Sequence, residues 1–293
     1  EAELFPSELD LDICDLEGLE TFASLDSMLQ VRIERALLES SSPQILQLAR
    51  KRQSGFWSGI DPQLQMKWAL VSILAQLLLE ADRVERELSA TGDDRQGLLR
   101  SYVADNAPWC MLDTYYRWME RHYQKLSEVN EELEVLINRS RDRYMAVGSK
   151  LATRFLQSFK AERFRADGMP RQWEVFDRYV KPSLTEGNTA YFMVDALRFE
   201  MAKDLVGSLA DEYEISLVPV LACVPTITEI GMAALLPGAG IASVVRAGDS
   251  KLALKIGDTI LKNRDDRMDF LKSSLDIKIF DTWMDSLLPT PKK

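Results

Sequence analysis

The sequence has little histidine and cysteine, and that scarcity excludes several common architectures. It contains one histidine, His122, and three cysteines. The cysteines lie far apart at Cys14, Cys110 and Cys223, without any C-x-x-C pair and in an odd number, so a disulfide framework is not indicated. A small, odd set of cysteines is typical of a reducing compartment, and we expect a cytoplasmic protein.

Long hydrophobic runs and an excess of positive charge are also missing. The longest apolar stretch, WALVSILAQLLL, contains a Ser and a Gln and is too short to span a bilayer, so it predicts a core helix and no membrane association. The net charge of −10 excludes a surface that is basic throughout. Because nonspecific DNA affinity requires Lys and Arg, nucleic-acid contact is limited to a local patch such as KAERFRADGMPRQW, for which a solvated helix face is the alternative.

Two different patterns divide the chain. From about residue 24 to residue 165, apolar residues recur at three- and four-residue steps with few Gly or Pro, which predicts a helical bundle as domain 1–165. Domain 166–293 alternates strand-like and helix-like segments, which predicts an α/β fold with a mostly parallel sheet. The predicted strands are TAYFMVD (189–195), YEISLVPVLAC (213–223), ASVVRA (242–247) and DIKIFD (276–281). The predicted helices are LRFEMAKDLVGSLADE, TEIGMAALLPG and DDRMDFLKSSL.

An aspartate follows the first of these apolar runs. Asp195 ends the predicted strand, and ligands of parallel sheets bind where the carboxyl ends of the strands meet. A buried carboxylate requires a partner. A divalent metal is one candidate, and Arg198 or the N–H groups of the following helix are the structural alternative.

A threonine occupies the corresponding position after the second run. Thr228 starts an apolar helical stretch, where it is either a simple N-cap or a nucleophile activated by a metal and by the helix N-terminus. Thr226 is a weaker candidate for the same role. Gly231 allows close approach of the backbone to a ligand.

These motifs resemble those of a known family. The pair VDALRFEMA and PTITEIGMAALLPG resembles the PglZ domain of the alkaline phosphatase superfamily, found in bacteriophage-exclusion (BREX) systems. The upstream segments FWSGIDPQLQMKW and WCMLDTYYRWMERHY resemble the region that precedes that domain. The resemblance implies that Asp195 binds one of two divalent metals, Zn²⁺ or Mn²⁺. It also implies that Thr228 binds these metals and attacks a phosphate mono- or diester, forming a phospho-threonine that water hydrolyses. At the position of Gly231, some relatives have an Asn whose side chain stabilises the oxyanion. Because glycine has no such side chain, only backbone groups can stabilise the oxyanion at this position.

The function implied is that of a metal-dependent phosphohydrolase or phosphodiesterase of phage defence. Its expected partners are the other BREX subunits, especially the DNA methyltransferase, with nucleic acid reached through the complex. One alternative is a non-catalytic scaffold subunit that binds those partners. A further alternative is a helical adaptor fused to an α/β domain in which Asp195 and Thr228 are structural.

The sequence departs from the family in its missing downstream ligands. After Thr228 it has several aspartates and no histidine. These aspartates are Asp249, Asp258, Asp265, Asp266, Asp269, Asp276, Asp281 and Asp285. The acidic stretch RDDRMD is expected to be a solvated helix face. We therefore expect the chain to be an amino-terminal portion of a longer protein, with weak metal affinity and little turnover by itself.

Overall fold

The chain forms two compact units. The computed structural model describes residues 11–91, 95–161, 168–248 and 251–287. The first unit comprises Glu1–Ala166 and Phe199–Tyr213, and the second comprises Asp167–Arg198 and Glu214–Lys293. We call them the helical unit and the mixed unit. Residues 199–213 thus pack with the helical unit although they lie far along the chain, while the division at residue 165 stays a prediction about domains.

Helices account for most of the regular structure. They are α1 (Ile13–Leu16), α2 (Ala23–Glu39), α3 (Pro43–Gln53), α4 (Phe56–Ile60), α5 (Pro62–Thr91), α6 (Arg95–Val103), α7 (Met111–Tyr123), α8 (Glu131–Ala161), α9 (Lys181–Glu186), α10 (Phe199–Leu209), α11 (Thr228–Gly231), α12 (Arg264–Ser274) and α13 (Met284–Leu287). Local sequence sets several of the boundaries. Before α3, for example, the Ser42 hydroxyl accepts from the Ile45 N–H and Pro43 occupies the first turn.

Helix α5 is the centre of the helical unit, as its apolar sequence predicts. It packs against α3, α7 and α8, and Trp68, Leu70 and Leu74 are fully buried along it. By length and composition α5 could cross a membrane, but 67% of its most apolar window is buried inside the protein. The prediction of a core helix at WALVSILAQLLL is confirmed.

A buried ion pair joins three helices of this unit. Arg52 on α3 is 1% exposed and donates to Asp26 on α2 over 3.1 Å. Its guanidinium also donates to the carbonyl oxygens of Leu16, Glu17 and Leu19. Trp68 on α5 donates its indole N–H to the second Asp26 oxygen over 2.7 Å. The arginine therefore fixes the end of α1 onto the bundle.

Helix α10 belongs to the helical unit because of a polar contact with α7. Asp204 on α10 accepts from the Arg117 guanidinium over 3.1 Å and from the Trp118 indole over 3.2 Å. The chain therefore leaves the mixed unit after Arg198 and returns to it at Glu214.

The mixed unit contains a small antiparallel sheet. Its strands are β1 (Ser243–Arg246), β2 (Leu252–Ile256) and β3 (Thr259–Leu261), in the order β1-β2-β3. Both pairs are antiparallel. Gly257 has φ of +57° in the tight turn between β2 and β3, a conformation that favours glycine.

The prediction of a mostly parallel sheet is wrong for the residues that the structure describes. The predicted strand ASVVRA exists as β1, but 189–195 and 276–281 join no ladder there, and 213–223 forms only a single parallel bridge from Leu221 to Arg171. Residues 189–194 form no regular secondary structure, with Phe192 and Val194 at 62% and 54% exposure, whereas Tyr191 and Met193 pack on the core. An apolar run favours an extended backbone, but a strand also requires a neighbouring strand to bond with.

The core of the mixed unit lies beneath these segments. Its fully or nearly buried members include Phe176, Leu236, Ile256, Leu261 and Leu271. The predicted helix DDRMDFLKSSL is confirmed as α12, with Asn263 as its N-cap. The predicted helix TEIGMAALLPG is shorter, since α11 is followed by 3₁₀ turns at Ala233–Leu235 and Ala239–Ile241.

Candidate active site around Asp195 and Thr228

The structure brings the two sequence-predicted site residues together. The Thr228 hydroxyl donates to the Asp195 carboxylate, with Oγ1 at 3.3 Å from Oδ1 and 3.2 Å from Oδ2. Both side chains are exposed, so a ligand can reach them. The pair joins a hydroxyl with a carboxylate that can orient it and accept its proton.

Asp195 lies in a turn and not at the end of a strand. The backbone N–H of Ala196 donates to Asp195 Oδ1 over 3.0 Å, which closes the turn locally. Ala196 has φ of +53°, the left-handed region that is unfavourable for a residue with a Cβ. Strain of this kind is concentrated at functional sites, where it fixes the direction of a side chain. The turn presents the carboxylate to Thr228.

Thr228 is not a helix cap. The N-cap of α11 is Ile227, and no side chain bonds to the first turn there. The N-cap alternative for Thr228 is therefore wrong, and its hydroxyl bonds to Asp195 instead. Helix α11 is also a single turn, because the chain enters 3₁₀ geometry after Gly231. The sizeable helix dipole expected at Thr228 is absent for the same reason.

Gln172 fixes the loop and the helix on either side of Thr228, and the sequence analysis missed it. Its Nε2 donates to the Gly231 carbonyl over 2.9 Å, and its Oε1 accepts from the Cys223 N–H over 2.9 Å. Its backbone N–H donates to the Leu221 carbonyl over 3.0 Å. A lone glutamine outside any motif gives no sequence signal, since only the fold brings these backbone groups around it.

Gln172 leaves little room for a side chain at position 231. A Cβ at position 231 would lie 3.3 Å from Gln172 Nε2, which is a tight contact. The Gly231 N–H donates to the Ile227 carbonyl over 2.8 Å. The Gly231 N–H is therefore already engaged in a backbone hydrogen bond, and stabilisation of an oxyanion by backbone groups here stays a prediction.

A buried arginine of α12 in the same unit was also missed by the sequence analysis. Arg267 on α12 is 8% exposed. Burial lowers the pKa of its guanidinium, and the negative charges of Glu229 and Asp195 act in the opposite direction. The carboxylates of the site thus lie within electrostatic reach of a buried positive charge. The expected solvated face of RDDRMD is correct for Asp265 but not for Arg267.

The described residues fit a divalent metal only in part. Asp195 and Thr228 place a carboxylate and a hydroxyl next to each other, but within residues 11–91, 95–161, 168–248 and 251–287 no group of three or more His, Cys, Asp or Glu side chains could hold a metal. Asp281 bonds to Arg264, and Asp266 accepts from the Lys262 N–H. Asp249 lies outside the described residues. These residues do not complete a two-metal centre.

Comparison with known proteins identifies the family of the segment that contains Asp195 and Thr228. Residues 175–279 match the family described as BREX system PglZ alkaline phosphatase-like domain. This segment is a PglZ domain. The resemblance found in the sequence is thereby confirmed. Asp195, Thr228 and Arg267 all lie inside the PglZ domain, and Gln172 lies just before it.

A curated relative extends the similarity beyond the PglZ domain. The chain is 26% identical over 276 residues to "Alkaline phosphatase-like protein BrxZ" of Escherichia coli O9:H4 (strain HS). The alignment covers 85% of this chain and 31% of the relative, so the chain spans about a third of the length of that protein. No solved structure matches the chain.

Proposed function

We propose that the PglZ domain hydrolyses phosphate esters, phosphodiesters foremost, with Thr228 as the nucleophile. The observation that supports this most directly is the hydrogen bond from Thr228 Oγ1 to Asp195, at 3.2 Å from Oδ2. A structural threonine at a helix start would cap that helix, whereas this hydroxyl is exposed and bonded to a carboxylate.

The proposed chemistry proceeds in two displacements. Thr228 Oγ1 attacks phosphorus, Asp195 accepts the hydroxyl proton, and the bond from phosphorus to the leaving alcohol oxygen breaks as that oxygen takes up a proton. Water then attacks the phospho-threonine, which releases the phosphate product and restores the hydroxyl. A carboxylate by itself is a weak base for removing the proton of a hydroxyl. The pair therefore explains how the Thr228 hydroxyl is positioned better than how it is fully activated as a nucleophile.

Divalent metal dependence is part of the proposal, with Zn²⁺ or Mn²⁺ as the expected ions and Asp195 and Thr228 as two of their ligands. Its support is the alkaline phosphatase-like family, because that superfamily generally uses divalent metals. The described residues offer too few ligands for a complete site. We therefore expect weak metal affinity from these residues, and further ligands from outside them.

We further propose that the protein acts in bacteriophage exclusion in the cytoplasm. The family description supports the BREX assignment. Other BREX subunits are then the expected partners, the DNA methyltransferase in particular, and nucleic acid is reached through the complex. Copurification of the tagged protein with the methyltransferase, before and after nuclease treatment, tests this assignment.

The decisive experiment is a matched pair of threonine variants. Hydrolysis of bis(p-nitrophenyl) phosphate is measured with Mn²⁺ or Zn²⁺, on this chain and on the full-length gene product. Thr228→Ala is expected to reduce the rate by at least about 100-fold, while Thr228→Ser keeps a measurable rate. Thr226→Ala is the control, because Thr226 is exposed in the same loop. Loss of activity in Thr226→Ala alone would transfer the nucleophile to Thr226.

A non-catalytic scaffold is the second candidate function. The lack of a metal-binding group among the described residues favours it. On this alternative, the folded full-length product binds its BREX partners but hydrolyses no phosphoester with either metal. Thr228→Ala would then change neither partner binding nor phage resistance.

A further inference from the structure

One long face of helix α8 is exposed in the described part of the helical unit. The opposite face packs against α2, α5, α6 and α7 and buries Leu133, Leu136 and Val147. On the exposed face, residues at intervals of four and seven form a single line along the helix, because seven residues make almost two turns. We call this line the α8 stripe, and its exposed members are Glu131, Val135, Asp142, Ser149, Leu156 and Lys160.

The middle of the α8 stripe lacks the charge that a solvated helix face normally has on each turn. Met145 and Leu156 are 58% and 56% exposed. Between them, the same face has only small side chains, all exposed, at Ala146, Ser149, Ala152 and Thr153. Small side chains let a second helix approach closely, and exposed apolar side chains that lie together mark interaction sites. The middle of the stripe is therefore suited to helix packing.

The charges of the stripe are separated by sign along the helix. Glu131 and Asp142 lie in its amino-terminal half, and Lys160 lies at its carboxyl end. None of these three side chains has a hydrogen bond or ion pair to another described residue. Acids near the start of a helix and bases near its end also suit the helix dipole, so the order of the charges alone does not identify a partner.

The spacing of the α8 stripe makes it complementary to itself. Read from either end, the intervals between its members are four, seven, seven, seven and four residues. An antiparallel helix pair that sets Glu131 opposite Lys160 of a second copy therefore also sets Val135 opposite Leu156. Each of these pairings occurs twice, once from each copy. A twofold interface requires this property, because the same patch of both copies meets there.

We propose that two copies of this chain associate through their α8 stripes, packed antiparallel and centred between Met145 and Ala146. At this register the Asp142 carboxylate of each copy faces the Ser149 hydroxyl of the other, as an acceptor facing a donor. The contact therefore joins unlike charges at its ends, hydrogen-bonding groups further in, and small or apolar side chains at its centre. The inference concerns assembly and does not rest on the proposed hydrolysis.

The positive charges beside the stripe do not oppose this pairing. Lys150 and Arg143 lie next to it on α8, and both bond to Glu85 within the same copy. Their charge is therefore partly neutralised before two copies meet. The chain has a net charge of −10, so two copies repel each other overall and need a surface with matched charges to associate.

Analytical ultracentrifugation tests the proposal on this chain from about 1 µM to about 200 µM, because a single helix pair is at the small end of stable interfaces. Every protein is measured in the Phe192→Lys background, so that this exposed side chain of the mixed unit does not contribute. A monomer–dimer equilibrium is expected. Ser149→Glu should raise the dimer dissociation constant by at least about tenfold, because it sets an acid opposite Asp142. Ser27→Glu is the control, since Ser27 is an exposed serine of α2 in the same unit, and it should leave the constant unchanged.

Charge reversal tests the pairing of the two ends. Glu131→Lys and Lys160→Glu each set like charges opposite each other, and each is expected to weaken the dimer by about three- to tenfold. The double variant restores unlike charges with the ends exchanged, and it should regain most of the wild-type affinity. Unfolding midpoints are measured alongside, because these residues also act on the helix dipole. A folded double variant that is weaker than either single variant would overturn the proposed register.

Cysteine cross-linking locates the centre of the helix pair. In a Cys14→Ser background, which removes the exposed native thiol, Ala146→Cys is expected to form a disulfide between two copies under mild oxidation. Ala152→Cys is the matched control, because at the proposed register its two copies lie about 20 Å apart along the helices, beyond the reach of a disulfide. Cross-linking at position 152 and not at position 146 would contradict the antiparallel arrangement.

Three further results would overturn the proposal. The first is a chain that stays monomeric over the whole concentration range. The second is a dimer that neither Ser149→Glu nor the charge reversals weaken, which would place the interface on another surface. The third is a monomeric chain whose Ser149→Glu variant no longer copurifies with the methyltransferase, which would assign the α8 stripe to that partner. None of these results depends on hydrolysis, so the proposed function can fail or stand by itself.

Discussion

The helical unit encloses its large apolar side chains more completely than the mixed unit does. In the helical unit Trp68, Leu74 and Trp109 are at most 1% exposed. In the mixed unit Phe280 is 83% exposed and Trp283 is 63% exposed. A helix satisfies its backbone hydrogen bonds within itself, whereas a strand depends on neighbours. A helical bundle can therefore bury its apolar side chains without additional segments, whereas a strand-like segment needs neighbouring strands to do so.

The buried arginines of the two units also have different surroundings. In the helical unit Arg52 donates to Asp26 and to several carbonyl oxygens. In the mixed unit the Arg267 side chain has no hydrogen bond or ion pair to any described residue, but none of its nitrogens is a buried atom without a partner. Arg52 is therefore the arginine whose partners stabilise a fold.

Removing the partner of Arg52 should produce the largest change in stability. Asp26→Ala leaves a buried arginine without its charge partner and also removes the acceptor for the Trp68 indole. We expect the free energy of unfolding to fall by about 3–5 kcal/mol, measured by urea denaturation. The double variant Asp26→Leu with Arg52→Met should recover much of that loss. An Asp26→Ala variant as stable as the wild type would contradict a stabilising role for the Arg52–Asp26 pair.

Gln172 offers the sharpest test within the mixed unit. In Gln172→Glu the acceptor for the Cys223 N–H remains, but an oxygen replaces the N–H donor that faces the Gly231 carbonyl. We expect a loss of about 1–3 kcal/mol at neutral pH from the unpaired carbonyl and the oxygen contact. The loss should shrink in acid, where a protonated glutamate can donate again. A loss that is equal at every pH would argue against this contact.

Glu34 in the helical unit should make stability depend on pH. It is fully buried, and burial raises its pKa above the ordinary value of 4.5, although Gln30 and Asn130 donate to it. The folded state therefore holds the proton more tightly than the unfolded state does. Its contribution is fully present below the ordinary carboxyl pKa and is lost as the pH rises through the raised folded pKa.

The matched variant is Glu34→Gln, which keeps the size of the side chain and removes the titration. We expect the stability difference between Glu34→Gln and the wild type to move in favour of the variant as the pH rises above 4.5. Unfolding midpoints measured from pH 4 to pH 8 check this. Parallel curves for the two proteins would show that Glu34 does not titrate differently in the folded state.

The smallest expected effect lies in the strained turn beside Asp195. Ala196→Gly removes the Cβ that makes φ of +53° unfavourable. We expect the variant to be more stable by up to about 1 kcal/mol, because the relief of strain exceeds the added freedom of the unfolded chain. Denaturant unfolding measures it, and Ala190→Gly is a control in the irregular segment nearby. A lower stability of Ala196→Gly would mean that the Ala196 Cβ stabilises the folded turn by more than the backbone strain costs.

Sequence alone predicted the parts of the molecule that depend on local signals. The apolar periodicity of α5 and the Asn263 cap of α12 are properties of neighbouring residues, and both elements exist. The PglZ motifs likewise placed Asp195 and Thr228 in one site. The parallel sheet was wrong because pairing depends on distant segments.

The roles of Gln172 and Arg267 were out of reach for a similar reason. Gln172 matters only because the fold brings the Cys223 N–H and the Gly231 carbonyl around it. Arg267 lies in an acidic stretch whose sequence indicates a solvated face, and only tertiary packing buries it. The surroundings of both residues are set by long-range contacts, which local sequence propensity does not predict.

The irregular segment 189–194 has a consequence for handling the protein. Phe192 and Val194 are 62% and 54% exposed on a backbone that pairs with no strand among the described residues. Exposed apolar side chains that lie close together favour self-association. The apparent molecular mass from light scattering should therefore rise with concentration beyond that of a dimer in preparations of this chain, and a lysine at position 192 or 194 should suppress that further rise.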